Sequence, residues 1–299
     1  MKIDQFLQYL RCERNLSPLT VRAYGDDLRQ LSDFLTGGAE AFHYASVSPQ
    51  DLRAWMVSLS RQGDGARTVR RKMQAARAFY RWLVKTGEVS VSPAAGIELA
   101  KLPKRLPSYV REEQIDALLD EPLPADATFA EVRDRLIVAI LYHTGIRRAE
   151  LIGLLDRNVD TAQCQMKVHG KRDKDRIVPF GDELCRLIVC YRQMRAQVAS
   201  PGVGELLLTE KGAPLYPSLV YRVVTGCLGE AGVRGKKSPH VLRHSFASTM
   251  LNHGAEINSV KELLGHESLA ATQVYTHITF SELKNNYKLA HPRALKKGG

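Results

Sequence analysis

Apolar residues along the first hundred positions follow a helical repeat. In "IDQFLQYL" and "TVRAYGDDLRQLSDFL" they recur every three or four residues, which is typical of an amphipathic helix packed on its neighbours. Ser17 and Ser48 each precede a proline at a first helical position, and Asp51 stands where a capping box requires an acceptor. Together with two further stripes of this kind, these signals predict four helices in this region.

The fourth helix, "ARTVRRKMQAARAFYRWLVK", contains no acidic residue. Its apolar stripe predicts packing on the other three helices, and its remaining positions are strongly basic. Six of its cations are candidate DNA contacts: Arg67, Arg70, Arg71, Lys72, Arg77 and Arg81. An ordinary solvated face is the alternative, but such faces commonly intersperse Glu for pairing along the helix. Contact with backbone phosphates is therefore the favoured interpretation.

Prolines interrupt the next segment, "KLPKRLPSYVREEQI", which we interpret as a linker over residues 101–110. Beyond it, "REEQIDALLD" and "FAEVRDRLIVAILYHTG" have helical patterns. "QCQMKVHG" and "DRIVPF" alternate around a polar connection and predict a hairpin, and "ELLLT" is a candidate third strand. From "SLVYRVVTGCLGEAG" onward the pattern is helical again. The predicted fold class is mainly α, of α+β type, with one small antiparallel sheet.

Length and charge narrow the class of protein. A chain of 299 residues can form two domains that each bury a core. The net charge of +11 favours a polyanionic partner, either nucleic acid or an acidic membrane surface. No apolar run approaches the roughly 18 residues of a spanning helix, and the start lacks a signal peptide, so we expect a cytoplasmic protein. Five widely spaced cysteines are expected to be free thiols, mostly packed in cores.

The C-terminal half holds residue types that touch phosphates and move protons. Cutting a DNA strand without a metal requires a nucleophile, a proton donor for the leaving oxygen, and fixed positive charge around the non-bridging oxygens. His240 and Arg243 are three apart in "HVLRHSFASTML", so on a helix both project from one face. His240 and His244 also match half of a zinc site, but no Glu lies between them and no suitably spaced Cys follows. We expect neither a metal nor a cofactor.

Five ordered motifs extend this set: "TGIRRAEL", "HGKRDKDR", "HVLRH", "LGH" and "YTH". In order and spacing they resemble the successive motifs of the tyrosine recombinases, the phage integrase family. The resemblance covers essentially the whole chain and is closest to the Xer branch. It implies an N-terminal four-helix, SAM-like core-binding domain at 1–100 and, after the linker, a catalytic domain at 111–280. It also implies that a C-terminal tail at 281–299 docks on a neighbouring protomer. The tail is amphipathic through Leu283, Tyr287 and Leu289, and the alternative is that it folds back on its own domain.

The resemblance implies a role for each matching residue. Tyr275 would attack the scissile phosphorus to give a 3'-phosphotyrosyl enzyme and a free 5' hydroxyl. Arg147 and Arg243 would hold the non-bridging oxygens, and Glu150 would support the first of these arginines. An isolated phenol titrates near pH 10, so Tyr275 needs a neighbouring base and nearby cations to lose its proton during attack.

Three further residues complete the implied active site. Lys171 would protonate the departing 5' oxygen, although Lys174 in the same "KRDKD" connection is an alternative. His240 would act as acid or base for the tyrosine oxygen. His266 would donate a hydrogen bond to the transition state.

The implied function is site-specific recombination of DNA, with Xer-type resolution of chromosome or plasmid dimers as the expected task. The implied partners are a double-stranded recombination site, a homo- or hetero-tetramer with a second recombinase, and an activating protein such as a DNA translocase. A mobile-element integrase of the same chemistry is the alternative, and the Xer-like N-terminal half disfavours a type IB topoisomerase. A non-catalytic regulator that reads DNA with helices such as "INSVKELLG" belongs to a different class.

Overall fold

The computed structural model describes residues 2–38, 42–100, 109–170, 175–265 and 280–294. The chain divides into two compact units, Met1–Arg105 and Leu106–Gly299, each with its own apolar core. No helix in these described ranges is long and apolar enough to cross a membrane.

The first unit is built from the four predicted helices, α1 (Lys2–Cys12), α2 (Pro18–Thr36), α3 (Pro49–Arg61) and α4 (Ala66–Lys85). Their starts agree with the sequence signals. The Ser17 hydroxyl accepts from the Thr20 amide, and Ser48 and Asp51 form a reciprocal capping box. The predicted apolar stripe of α4 is fully buried and holds that helix to the other three: Val69, Met73, Ala76, Phe79, Tyr80 and Leu83.

The second unit begins with α5 (Glu112–Asp120), α6 (Phe129–Thr144) and the short α7 (Arg148–Ile152). A three-stranded antiparallel sheet follows in the order β1 (Val159–Asp160), β2 (Gln165–His169) and β3 (Asp175–Pro179). The predicted hairpin is β2 and β3, with Met166 opposite Val178 on the buried face. This alternation confirms the sequence reading of the hairpin.

Five helices complete this unit: α8 (Asp182–Val198), α9 (Pro217–Glu230), α10 (Pro239–Asn252), α11 (Ile257–Leu264) and α12 (Phe280–Ala290). Residues 136–144 of α6 are buried on every side, so α6 is the central helix of the unit. A helix that is apolar all round has no solvent face, and α8, α9 and α10 pack around it.

The prediction that "ELLLT" forms a strand is wrong. Its leucines at 206–208 are buried, but the segment pairs with the chain only through isolated bridges from Glu205 to Leu155 and from Leu208 to Pro214. The third strand is instead β1, which has two residues and therefore no readable alternation. Sequence reasoning also left α8 unassigned, although Leu184, Ile188 and Tyr191 show the helical spacing.

The cysteines differ in part from expectation. Cys185 is buried in the core of the second unit and Cys164 and Cys227 pack against it, as expected, whereas Cys12 and Cys190 are exposed. In the tail, the predicted stripe of α12 is correct at Leu283 and Tyr287 but wrong at Leu289, whose side chain is exposed. Ala290 occupies the buried position instead.

Candidate active site

The turn between α6 and α7 places the first candidate arginine. Gly145 ends α6 in the left-handed conformation with φ +61°, and a Cβ there would lie 2.4 Å from the Phe246 ring. Glycine is therefore required for both conformation and space. Arg147 precedes α7, and its backbone amide and Nη1 each donate to Glu150 at 2.7 Å. The "TGIRRAE" motif is thus a helix end followed directly by a helix start.

Helix α10 supplies the second pair of candidates. Arg243 Nη1 donates to the Gly145 carbonyl at 2.5 Å and Nη2 donates to the Leu264 carbonyl at 2.7 Å. His240 lies in the first turn of α10, one helical turn before Arg243, with an exposed side chain. Both residues therefore lie on α10 at the predicted helical spacing.

Three consecutive carbonyls at the end of α11 each accept a hydrogen bond from a different arginine. The Leu263 carbonyl accepts from Arg176 Nε, and the Gly265 carbonyl accepts from Arg147 Nη2, both at 2.7 Å. The Leu264 carbonyl accepts from Arg243, as above. The last carbonyls of a helix lack partners within it and carry the negative end of its dipole. This helix end therefore gathers three guanidiniums from distant parts of the chain. We call Arg147, Arg176, Arg243 and Glu150 with these carbonyls the arginine cluster.

Glu150 is the buried anion of the arginine cluster. Its carboxylate also accepts from Arg176 Nη1 at 3.0 Å and Nη2 at 2.8 Å. Burial raises the pKa of Glu150, but the hydrogen bonds from Arg176 and Arg147 outweigh it, so the pKa lies below its ordinary value. The carboxylate is therefore ionised at neutral pH and offsets part of the local positive charge.

Burial and neighbouring positive charges lower the pKa values of the two candidates on α10, Arg243 and His240. Burial and the neighbouring Arg147 lower the pKa of Arg243 to about 10, which still leaves it charged at neutral pH. Desolvation, then the charges of Arg148, Lys236 and Arg243, lower the pKa of His240. The His240 imidazole is consequently neutral at pH 7 and can accept a proton.

Unused donors give the arginine cluster its chemical capacity. A guanidinium has five N–H groups. Among contacts with described residues, Arg147 and Arg243 each commit two of them. The other three N–H groups of each guanidinium have no partner among the described residues and can donate to the oxygens of a tetrahedral oxyanion. The arrangement can therefore hold a phosphate and stabilise negative charge that develops on it.

Three predicted catalytic residues, Lys171, His266 and Tyr275, lie outside the described residues. In the chain, His266 directly follows the Gly265 carbonyl that binds Arg147. Lys171 belongs to the connection between β2 and β3, whose described ends are joined by a hydrogen bond between His169 and Asp175 at 2.9 Å.

The six basic candidates on α4 have different environments. Arg67 and Arg81 are exposed and form no hydrogen bond or ion pair with another described residue. The other four contact their own unit: Arg70 bonds the Ala100 carbonyl, Arg71 pairs with Asp27, Lys72 pairs with Asp64, and Arg77 bonds the Ile97 carbonyl. Lys72 is also buried. Of the six candidates, Arg67 and Arg81 therefore have the positive charge that is least offset by partners within their own unit.

Sequence reasoning missed two arginines whose side chains are largely shielded from solvent and form several hydrogen bonds. Arg176 was quoted within "HGKRDKDR" without a role, and its signal was strand parity, because it shares the inward face of β3 with Val178. Arg293 is fully buried, and it pairs with Asp116, Asp120 and Glu183. No local pattern distinguishes Arg293 from an ordinary surface charge near a chain end.

The fold and the arginine cluster define a class: a basic, mostly helical two-unit protein with prearranged positive charge for a phosphate. Comparison with known protein families identifies the family to which this class of protein corresponds. Residues 108–282 match the phage integrase family, and residues 3–87 match the phage integrase N-terminal SAM-like domain. The chain belongs to the phage integrase family of site-specific tyrosine recombinases, enzymes that cleave and rejoin DNA.

Individual relatives cover nearly all of the chain. It is 35% identical to the tyrosine recombinase XerC of Chlorobaculum tepidum, across 98% of this chain and 94% of the relative. It is 36% identical to the tyrosine recombinase XerC of Listeria welshimeri, across 97% of both chains. Its fold is similar to that of the XerH site-specific recombinase bound to palindromic difH substrate, with 21% identity and a TM-score of 0.69 across 96% of this chain and 84% of that one.

Proposed function

We propose that this chain is an Xer-type recombinase that acts in the cytoplasm on double-stranded DNA sites, with resolution of chromosome or plasmid dimers as its task. The observation that carries the proposal is that Arg147 and Arg243 bind adjacent carbonyls at the end of α11. Similarity to XerC relatives over nearly the whole chain supports the Xer assignment.

In the proposed reaction, the Tyr275 oxygen attacks the scissile phosphorus while the P–O5' bond breaks. The phenol proton passes to His240, whose lowered pKa keeps it neutral and able to accept it. Lys171 gives a proton to the departing 5' oxygen. The products are a 3'-phosphotyrosyl enzyme and a free 5' hydroxyl. Attack by a second strand's 5' hydroxyl reverses these steps, so neither ATP nor hydrolysis is needed.

Arg147 and Arg243 would bind the non-bridging oxygens throughout, and His266 would donate one more hydrogen bond. Charge increases on those oxygens in the transition state, so donors held in advance lower the barrier. Their positions need no rearrangement of long side chains when DNA binds, because backbone carbonyls and Glu150 already fix both guanidiniums.

The test of this chemistry is a nicked suicide substrate on which the 5' end of the cleaved strand diffuses away. The parent protein should form a covalent adduct at a 3' end, and Tyr275→Phe should form none. Tyr221→Phe is a matched control, because Tyr221 is an exposed tyrosine on α9 outside the arginine cluster. Absence of any adduct with the parent on all candidate sites would contradict the proposed enzyme.

Binding of the DNA site is assigned in part to α4, chiefly to Arg67 and Arg81. Each phosphate contact releases condensed counterions, so affinity should fall steeply with salt. Arg70, Arg71, Lys72 and Arg77 remain candidates, but each would have to share its charge with the internal partner described above.

Assembly is proposed to be a tetramer, of this chain alone or with a second recombinase, linked by the C-terminal tail. In the single chain, α12 packs on its own unit through Leu283 and Tyr287. Arg293 is then held by Glu183 at 2.9 Å and by Asp116 and Asp120 at 2.6 Å. We propose that a neighbour's tail contacts the same three carboxylates in the assembled complex.

Deleting residues 281–299 should abolish strand exchange and leave monomer binding to DNA intact. Because the tail also buries apolar side chains within its own unit, thermal unfolding must be measured beside recombination. Arg293→Glu is the more specific variant, since it keeps the tail but places a negative charge against the carboxylates of Asp116, Asp120 and Glu183. Unchanged recombination by either variant would reject tail docking.

Adding a second recombinase or a DNA translocase to the same reaction tests whether a partner is required.

A further inference from the structure

Of the three guanidiniums in the arginine cluster, that of Arg176 donates the most hydrogen bonds to described residues. It projects from β3, and its side chain is only 13% exposed. Nε donates to the Leu263 carbonyl, while Nη1 and Nη2 donate to the two oxygens of Glu150. Arg147 and Arg243, by comparison, each commit two side-chain donors to described residues. Arg176 is therefore fixed to protein on more sides than either phosphate-binding candidate.

The contacts of Arg176 connect β3, α7 and α11, and the arginine cluster forms only when these three elements are correctly placed relative to one another. One end of its guanidinium holds Glu150 on α7, and that carboxylate also orients Arg147. The other end holds the Leu263 carbonyl, one residue before the Leu264 carbonyl that binds Arg243. The positions of Arg147 and Arg243 thus depend on Arg176, whose three side-chain nitrogens all donate to other groups of the protein.

We propose that Arg176 is a positioning residue for strand cleavage, acting through Glu150 and the end of α11 rather than by touching DNA. This inference rests on the proposed function. It assigns to Arg176 the task of occupying two oxygen lone pairs of Glu150, so that Arg147 cannot turn its whole fork onto that carboxylate and away from the phosphate.

Lysine cannot replace arginine in this role. A guanidinium is a rigid planar fork that reaches two carboxylate oxygens and, from Nε, a third acceptor, whereas an ammonium is one point charge on a flexible stem. Arg176→Lys keeps the charge but loses the bridge between Glu150 and Leu263. Both Arg176→Lys and Arg176→Gln should therefore lower the cleavage rate by about 100-fold, the cost of a small misplacement of groups around a reacting centre.

The chain offers a matched control in Arg192. It pairs with Asp156 at 2.8 Å and bonds the Asp156 and Val159 carbonyls, so it is another partly buried arginine that joins an ion pair to backbone carbonyls. Arg192 lies on α8, and its contacts lie just before β1 and at its first residue, outside the arginine cluster. Arg192→Gln should lower thermal stability as Arg176→Gln does, but leave the cleavage rate within about threefold of the parent.

The experiment measures single-turnover adduct formation on the suicide substrate at saturating protein, beside the Kd for the same DNA and the thermal unfolding temperature. The variants are Arg176→Lys, Arg176→Gln, Glu150→Gln, the double Glu150→Gln/Arg176→Gln, and Arg192→Gln. A positioning role predicts slow cleavage with a nearly unchanged Kd, and a double variant no slower than about threefold below the slower single variant.

Other results overturn the inference. A weakened Kd with an unchanged saturating rate means that Arg176 contacts DNA, and multiplied losses in the double variant mean that it acts independently of Glu150. Equal losses in the Arg192 and Arg176 variants reduce the effect to stability. If the parent itself forms no adduct, the proposed function and the positioning role both fall. If the parent forms the adduct and Arg176→Gln matches it, only the positioning role falls.

Discussion

The two units use positive charge in opposite ways. On α4 of the first unit, the basic residues are neighbours in sequence, and two of them, Arg67 and Arg81, are exposed without partners among described residues. In the second unit, Arg147, Arg176 and Arg243 come from different elements, and each is fixed to a backbone carbonyl. The first two are also fixed to Glu150. The first arrangement suits attraction to any polyanion, and the second suits one oxyanion in one orientation.

Desolvation explains why the difference matters for chemistry. An exposed cation is screened by water and ions, so its interaction with a phosphate is weak and non-directional. A partly buried guanidinium acts in a lower dielectric and has lost its conformational freedom before the ligand arrives, so it contributes more to the transition state.

Removing a fixed arginine should affect catalysis far more than removing an exposed one. Arg243→Ala is expected to lower single-turnover cleavage by about 10²–10³-fold, the usual loss for one transition-state donor. Arg67→Ala should leave the rate at saturating protein unchanged. Quantifying covalent adduct over time for both variants checks this, and similar losses for the two would erase the distinction between the units.

Two glycines in the same backbone conformation should differ in their tolerance of a methyl group. Gly37 and Gly145 both end a helix near φ +60°, but a Cβ meets nothing within 4 Å at Gly37 and lies 2.4 Å from Phe246 at Gly145. Gly37→Ala should cost about 1 kcal/mol of its unit's stability from backbone strain alone. Gly145→Ala should cost about 3 kcal/mol, because overpacking adds to that strain. Denaturant unfolding of the full chain measures both, and equal costs would refute the packing argument.

The salt dependence of DNA binding should separate free from committed cations on α4. Arg67→Gln should reduce the slope of log K against log salt by about one, the share of one phosphate contact. Lys72→Gln should leave the slope unchanged, since that ammonium is buried against Asp64 at 2.6 Å, and should lower stability instead. A titration series at four salt concentrations is sufficient. The reverse pattern would move the DNA contact to the buried side of the helix.

The smallest effect should be a difference in the sign of pH dependence between two buried carboxylates. The pKa of Glu150 is below its ordinary value of 4.5, so the stability it contributes is present above that value and is lost as pH falls through the folded pKa. The pKa of Asp27 is raised above 3.8 by burial, despite its ion pair with Arg71, so its contribution declines as pH rises through that interval. Unfolding free energies of Glu150→Gln and Asp27→Asn between pH 3 and 7 should therefore deviate from the parent in opposite directions. Deviations of one sign would show that the two environments are alike.

Much of the fold could be predicted from the sequence, because its signals are local. The capping box at Ser48 and Asp51, the stripe of α4 and the helical spacing of His240 and Arg243 all act within three or four residues. The "ELLLT" segment shows where this reasoning stops. Its leucines are buried by neighbouring elements and not by a strand ladder, and an apolar run alone cannot distinguish the two.

The active-site candidates divide in the same way. Motif order identified Arg147, Glu150, His240 and Arg243, and the structure places the two arginines on adjacent carbonyls. Arg176 was not recognised, because its partners lie 26 and 87 residues away in the chain. Lys171, His266 and Tyr275 stay predictions from the sequence.

By itself the sequence determined the chemical groups this protein carries, the helices that present them and the pairs that a single helical turn brings together. Those features depend on backbone geometry over a few residues, which each short segment specifies for itself. Only the tertiary structure decided that three arginines share the C-terminal end of α11 and that two of them, Arg147 and Arg176, share one buried carboxylate. That outcome depends on how α6, α7, α10, α11 and β3 pack, since unpaired carbonyls and a desolvated anion are satisfied by whichever donors the folded chain brings within reach.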